Sequence, residues 1–302
     1  MLVFAASDKG GTGRSVTSCN IAYRLSLAGN DVAYLDFDFG SPTAGSIFEI
    51  SKIDRGADHG LHSYIGGTIS SPHQVDVRTA SDRPGLRMLH AKAGRLALFA
   101  GDRDGAEFSS TAEKVRRCIE LFRRLDQEFQ VCVVDLSAGR SHALHMALNA
   151  TAAPEIRSAP VRWLVFHRWT RQHIVAAHGL VHGNDGLLDE GVRAGHEREA
   201  LQDSIRFVRT AVPALNSPLA ADRPAQAKWL RTCNDELKQL ALRNRLGHSA
   251  TLGETPVEPV LQWREQVISD ADVSGNIANA ATVKAFDELA RNLTDDSVWE
   301  GL

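Results

Sequence analysis

The sequence predicts an α/β chain built on a doubly wound, mainly parallel sheet with helices on both faces. Three observations carry that expectation: a strand, glycine loop, helix and strand at the start, later unbroken apolar runs that each end in a polar residue, and amphipathic stretches between them. Parallel strands are covered on both faces, so they read as continuous apolar runs rather than alternating ones.

Leu2–Ala6 reads as the first strand, Ile21, Leu25 and Leu27 mark the helix behind it, and Val32–Leu35 closes a βαβ unit. Ser51–Pro84 is rich in Gly, Ser, Asp and His and reads as loop. From Ser109 to Glu128, Val115, Cys118, Ile119, Phe122 and Leu125 fall on one helical face. Lys114, Arg116, Arg117, Arg123 and Arg124 lie mostly on the other side, interleaved with Glu113, Glu120 and Asp126, which predicts a solvated face. Val131–Val134 leading into Asp135 and Val161–Phe166 leading into His167 read as buried strands, with Ile205–Val212 a weaker one. Gly183–Glu199 reads as loop, and Pro224–Leu246 and Asn279–Leu293 as long helices. No repeat or linker divides the chain, so residues 1–302 are expected to form one domain.

Composition narrows the classes of function. With 34 Lys+Arg against 37 Asp+Glu the net charge is -3, which excludes a strongly basic coat for nucleic acid. No apolar run approaches the ~18 residues that cross a bilayer, and the opening residues lack the basic stretch of a secretory leader, so a cytoplasmic protein is expected. The four cysteines, Cys19, Cys118, Cys132 and Cys233, show no CxxC pairing and read as small buried thiols.

The segment Asp8-Lys9-Gly10-Gly11-Thr12-Gly13-Arg14-Ser15 falls between the first strand and the first helix. Glycines let successive N–H groups converge on oxygen without obstruction by Cβ, and a helix N-terminus adds a favourable dipole. Gly10, Gly11, Thr12, Gly13, Arg14, Ser15 and Val16 are therefore the expected phosphate cradle. Ser15 is placed to ligate magnesium, and the Arg14 cation to reach the outer phosphates.

Lys9–Ser15 resembles the deviant Walker A motif of the ParA/MinD group of P-loop ATPases. Two further segments strengthen the resemblance: Asp36-Phe37-Asp38 looks like the family's DxD switch, and Val131–Gly139, with Asp135 at its strand end, looks like the Walker B strand and its DxxxG switch. The likeness is strong over residues 1–45 and 128–145 and weak over a divergent segment, about 185–252, expected to be helical. The resemblance implies a P-loop NTPase fold, ATP and Mg²⁺ as cofactors, and a homodimer in the ATP state, with Lys9 reaching the partner's phosphates. It further implies Ser15, Asp36 and Asp135 around the metal, Asp38 orienting the attacking water, and Gly139 letting the switch backbone approach the terminal phosphate. The implied task is DNA segregation or positioning of a large complex, with a protein partner or cargo still to be identified. One departure matters: Arg14 stands where the family has its phosphate-binding lysine. A planar guanidinium is not equivalent to an ammonium point charge, so only weak ATP hydrolysis is expected.

Two alternatives belong to other classes. One is a nucleotide-binding scaffold or regulatory switch with little or no hydrolysis, motivated by Arg14. The other is a metabolic P-loop ligase or synthase, against which Lys9 argues. The absence of an NKxD tetrapeptide favours ATP over GTP, with Arg209 and Pro213 as candidates for base contacts. Lys228, Arg231, Lys238, Arg243 and Arg245 make one late helix basic and suggest non-specific DNA as a partner. Asp287–Asp296 is acidic, which predicts no amphipathic membrane anchor. His142 with His145, and His178 with His182, have helical spacing but no further ligand nearby, and read as structural or solvated.

Overall fold

Strand β1 (Leu2–Ala6) runs through the middle of an eight-stranded sheet because all five of its residues are apolar and all are buried. The structure, a computed structural model, describes residues 1–87, 92–103, 105–214 and 223–300. The remaining strands are β2 (Val32–Phe37), β3 (Gln74–Asp76), β4 (Leu96–Phe99), β5 (Val131–Leu136), β6 (Val161–Arg168), β7 (Ile205–Val212) and β8 (Thr251–Pro256). Their order across the sheet is β3-β4-β2-β5-β1-β6-β7-β8. Every pairing is parallel except that of β3 with β4.

From β1 the chain passes over β5 to reach β2, and β5 and β6 later fill the places on either side of β1. That reversal opens a crevice at the carboxyl end of β1, the place where open α/β sheets bind ligands. The register sets Ala5 opposite Asp135 of β5 and Leu164 of β6, and Asp36 of β2 opposite Asp135. Two carboxylates thus arrive side by side at the crevice.

Helices cover both faces. On one side, helices Ala112–Glu128, His142–Thr151 and Arg171–His182 pack on Phe4, Phe37 and Trp163, with the Phe4 and Trp163 rings stacked at 4.5 Å. On the other side lie α1 (Arg14–Leu27) and, beside it and against β8, helix Ala280–Thr294. Helix α1 is buried almost throughout, and even its polar residues are tied down. Asn20 donates to the Gln266 carbonyl at 3.1 Å and accepts from the Ile268 amide at 2.8 Å. Arg24 pairs with Asp270 at 2.6 Å and donates to the Ile268 carbonyl at 3.0 Å.

The strands predicted at 2–6, 32–35, 131–134, 161–166 and 205–212 are present, as are the helices after β1, before β5 and near the end of the chain. The late basic helix runs Pro224–Arg243. Gly183–Glu199 departs from expectation: it holds helix Leu187–Ala194 and leads into helix Arg198–Asp203. Gly191 sits inside the first of these helices, where an added Cβ would meet the Leu201 side chain, so this glycine marks close packing. Ser51–Pro84 is not wholly loop, since it contains β3 and several short helical turns. Strands β4 and β8 were not anticipated, and the 185–252 segment, expected to be helical, also supplies β7. Cys19, Cys118 and Cys132 are buried as expected, whereas Cys233 is only half-buried, and burial pushes the thiols of Cys118 and Cys132 up to about 12. Among the described residues, no helix is long and apolar enough to cross a membrane.

Candidate functional site

Residues 7–13 leave the end of β1 and turn directly into α1. Gly11 and Gly13 have φ of +71° and +75°, the left-handed region that side chains with a Cβ avoid. Gly13 is also the N-cap, so no side chain caps the first turn of α1. Its leading amides and the positive end of its dipole therefore face the crevice. A Cβ added at Gly10 or Gly11 would meet nothing within 4 Å, so the loop's outer side is open to a ligand. Two bonds fix its position: Thr210, near the end of β7, donates its hydroxyl to the Thr12 carbonyl at 2.5 Å, and the Gly139 amide donates to the Ser7 carbonyl at 2.7 Å.

Two adjoining clefts meet along this loop. A cleft of about 150 Å³ is bounded by Gly10–Val16, Asp38 and Ala138. A second, of about 230 Å³, lies between the loop and the ends of β7 and β8, lined by Thr210, Thr255, Pro256 and Leu261. They share Gly11, Thr12, Gly13, Val16 and Glu265. An amide-rich hollow continuous with a partly apolar one suits a phosphorylated ligand with a larger body attached.

Arg14 dominates the electrostatics. Its side chain, 6% exposed, turns back under the loop. Its Nε donates to Asp135 Oδ1 at 2.5 Å and one terminal nitrogen to Asp38 Oδ2 at 2.8 Å. Weaker bonds of 3.3 Å run to the hydroxyls of Ser7 and Ser15. Burial alone would lower the pKa of the guanidinium, but the charges of Asp135 and Asp38 outweigh it and raise it above the ordinary arginine value.

Asp36 is placed differently. Its Oδ2 accepts from the amides of Thr43 and Ala44, both at 2.9 Å, and its Oδ1 from the Asp38 amide at 3.3 Å. Burial, reinforced by the neighbouring Asp135, raises its carboxyl to about 8. Its oxygens thus fasten the turn after β2. Lys9 is exposed and lines an open groove of about 930 Å³ with Asp8, Arg168 and His173.

The structure thus gathers Gly10–Val16, Asp38 and Asp135 at one place and brings Gly139 against the loop. Magnesium, implied by the resemblance, can be tested against this donor set. Asp135 is bonded to a guanidinium, Ser15 lies within 3.3 Å of the same group, and Asp36 is spent on backbone amides. The buried Asp135 Oδ2 is the one oxygen of these three side chains left without a partner among the described residues, apart from the half-exposed Ser15 hydroxyl's free capacity. No group of three or more His, Cys, Asp or Glu able to hold a metal exists among the described residues. As folded, Arg14 already joins Asp135 and Asp38, so a divalent ion does not fit among these side chains unless the guanidinium leaves.

Other candidates lie elsewhere. Arg209 stacks on the Trp169 ring at 4.5 Å and donates to the Leu246 carbonyl at 2.9 Å, so its charge is used internally. Pro213 lines neither cleft. The rings of His178 and His182 are 5.1 Å apart, with His178 bonded to the Asn244 carbonyl at 2.8 Å. Lys228, Arg231, Lys238, Arg243 and Arg245 are all exposed, alongside exposed Asp235 and Glu236. The residues that sequence reasoning missed are Ser7, Thr210, Thr255, Pro256, Leu261 and Glu265. The only available signal was position, at or shortly after the ends of strands, and for β8 even the strand was hidden.

The family described as the CobQ/CobB/MinD/ParA nucleotide binding domain matches residues 3–269. No curated protein sequence matches the chain. Among solved structures, a chain of the MinC:MinD cell division protein complex of Aquifex aeolicus is similar at 14% identity and TM-score 0.58, over 97% of this chain and 95% of that one. A putative plasmid partition protein of Borrelia burgdorferi bound to AMPPNP gives 14% and 0.58, over 97% of each chain. The septum site-determining protein MinD of Pyrococcus horikoshii, complexed with Mg-ADP, gives 13% and 0.54, over 98% and 96%. At these identities the likeness shows the fold.

Proposed function

The chain belongs to the CobQ/CobB/MinD/ParA nucleotide-binding family, and from that premise we propose that it binds ATP on the 8–16 loop and acts as a slowly hydrolysing, dimerising switch. The observation that carries this reading is the uncapped start of α1, whose amides face a cleft continuous with a second one large enough for a nucleoside. Amides of Gly10–Val16 and the Lys9 and Arg14 cations offset phosphate charge, while Gly139 couples the 137–140 turn to the loop. Asp38 is the candidate for orienting water. Because it is ion-paired to Arg14, turnover is expected to be slow. Asp135 and Ser15 hold the guanidinium in position, and Asp36 holds the switch turn. Magnesium dependence is the part of the resemblance that this donor set favours least.

Exposed Lys9 suits a cation offered across a dimer, which makes the nucleotide state readable by a partner protein or cargo. The proposed task is DNA segregation or placement of a large complex. Light scattering of the purified protein with and without ATP tests the switch: a dimer that forms only with ATP and is lost in Lys9→Ala supports it, and a monomer under both conditions refutes it. The exposed cations of helix 224–243 favour non-specific DNA as the surface recognised. Anisotropy of a labelled random duplex should then show ATP-promoted binding that weakens with salt.

A further inference from the structure

Arg14 reaches the three groups, Asp135, Asp38 and Ser15, that a divalent ion and an attacking water would need. We propose that the Arg14 guanidinium is the resident cation of this site, so that the chain binds the polyphosphate of a nucleotide without a divalent metal ion. The inference rests on the nucleotide-binding reading above and deepens it.

Geometry and charge support it together. The guanidinium is a rigid fork that does not give up its proton, and a buried carboxylate left without a cation is costly. The two carboxylate bonds are short, at 2.5 and 2.8 Å, whereas those to Ser7 and Ser15 are long, at 3.3 Å. A phosphate oxygen can therefore replace a serine hydroxyl without releasing either carboxylate. Arg14 is ion-paired to both Asp38 and Asp135, so these carboxylates already share a cation. Such a cluster has little attraction for a dication. What draws an anion is the row of amides at the start of α1, which no metal need accompany.

Calorimetric titration of ATP into the wild-type protein, with excess EDTA and separately with excess magnesium chloride, tests the proposal. Affinities within about threefold of each other are expected. An affinity at least about tenfold weaker in EDTA would overturn the proposal and leave the nucleotide-binding reading intact. No binding in either medium would overturn both. Arg14→Lys replaces the fork with a shorter side chain ending in a single point charge, which fills less of the space between the carboxylates, and it should acquire a magnesium preference of about tenfold. Metal-independent binding in that variant would refute Arg14 as the cause. If the variant does not fold, electron paramagnetic resonance of Mn²⁺ added to the wild-type protein with ATP replaces it. All the manganese should then behave as free or ATP-bound ion with no protein ligands, and a protein-coordinated signal would overturn the proposal.

Discussion

Replacing Arg14 by methionine removes the cation that two carboxylates share, and the structure sets the size of the loss. Asp135 is 1% exposed and 2.5 Å from Nε, and the methionine variant leaves it buried beside Asp36 and Asp38 with no compensating charge. Breaking a buried pair by removing one partner costs about 3–5 kcal/mol. At roughly 2–4 °C per kcal/mol for a chain of this size, the midpoint should fall by on the order of 10 °C. Asp135→Asn alone should cost less, because Arg14 keeps its 2.8 Å bond to Asp38. The double variant, Arg14→Met with Asp135→Asn, should be more stable than the summed single losses imply by at least about 2 kcal/mol. The assay is urea denaturation of the wild type, both single variants and the double variant at pH 7, repeated at high salt. Burial protects the pair from screening, so the coupling should survive the salt. Losses that add to within about 0.5 kcal/mol would refute the reasoning, because groups in contact do not behave independently.

Three further outcomes follow from other contacts. Thr210→Val deletes the 2.5 Å bond to the Thr12 carbonyl and should cost about 1 kcal/mol in thermal denaturation, with a several-fold loss of ATP affinity in calorimetry because the loop is no longer pinned. Gly191→Ala forces a Cβ to within 2.1 Å of Leu201 and should destabilise by about 1–3 kcal/mol in the same scan, whereas an unchanged midpoint would contradict the helix contact. Burial lowers the His167 imidazole from 6.5 to about 4, so the folded form binds fewer protons than the unfolded one between those values. Its contribution is complete above pH 6.5 and is lost as pH falls towards 4, at up to roughly 1.4 kcal/mol per pH unit, and His167→Gln should flatten that part of a stability–pH curve.

How far the sequence could be read depended on whether each signal was local. β1, β5 and β6 are buried on both faces, so Val, Leu and Phe crowd together in sequence and announce the strands. β8 reads Thr-Leu-Gly-Glu-Thr-Pro, and it is a strand only because β7 lies beside it. Nothing local in the sequence ties Gly191 to Leu201, the side chain packed against it, so that stretch could not be told from a loop. The loop between β1 and α1 was legible because its glycines stand close together in the sequence and need no distant neighbour to be seen. Arg14 could be flagged as an exception from its position, but its grip on Asp38 and Asp135 joins residues far apart in the chain. Asp36 and Asp38 look alike in sequence. Only the turn after β2 shows that the first holds up backbone while the second meets the guanidinium.

Helix α1 is clamped along its middle by Asn20 and Arg24 to residues 266–270, so it behaves as a stator rather than a moving part. Its amino end cannot slide to greet an incoming anion. Any accommodation would fall to the bends after β2 and β5, which are fastened by Asp36, Ser137 and the Gly139 amide rather than by a clamp along a helix.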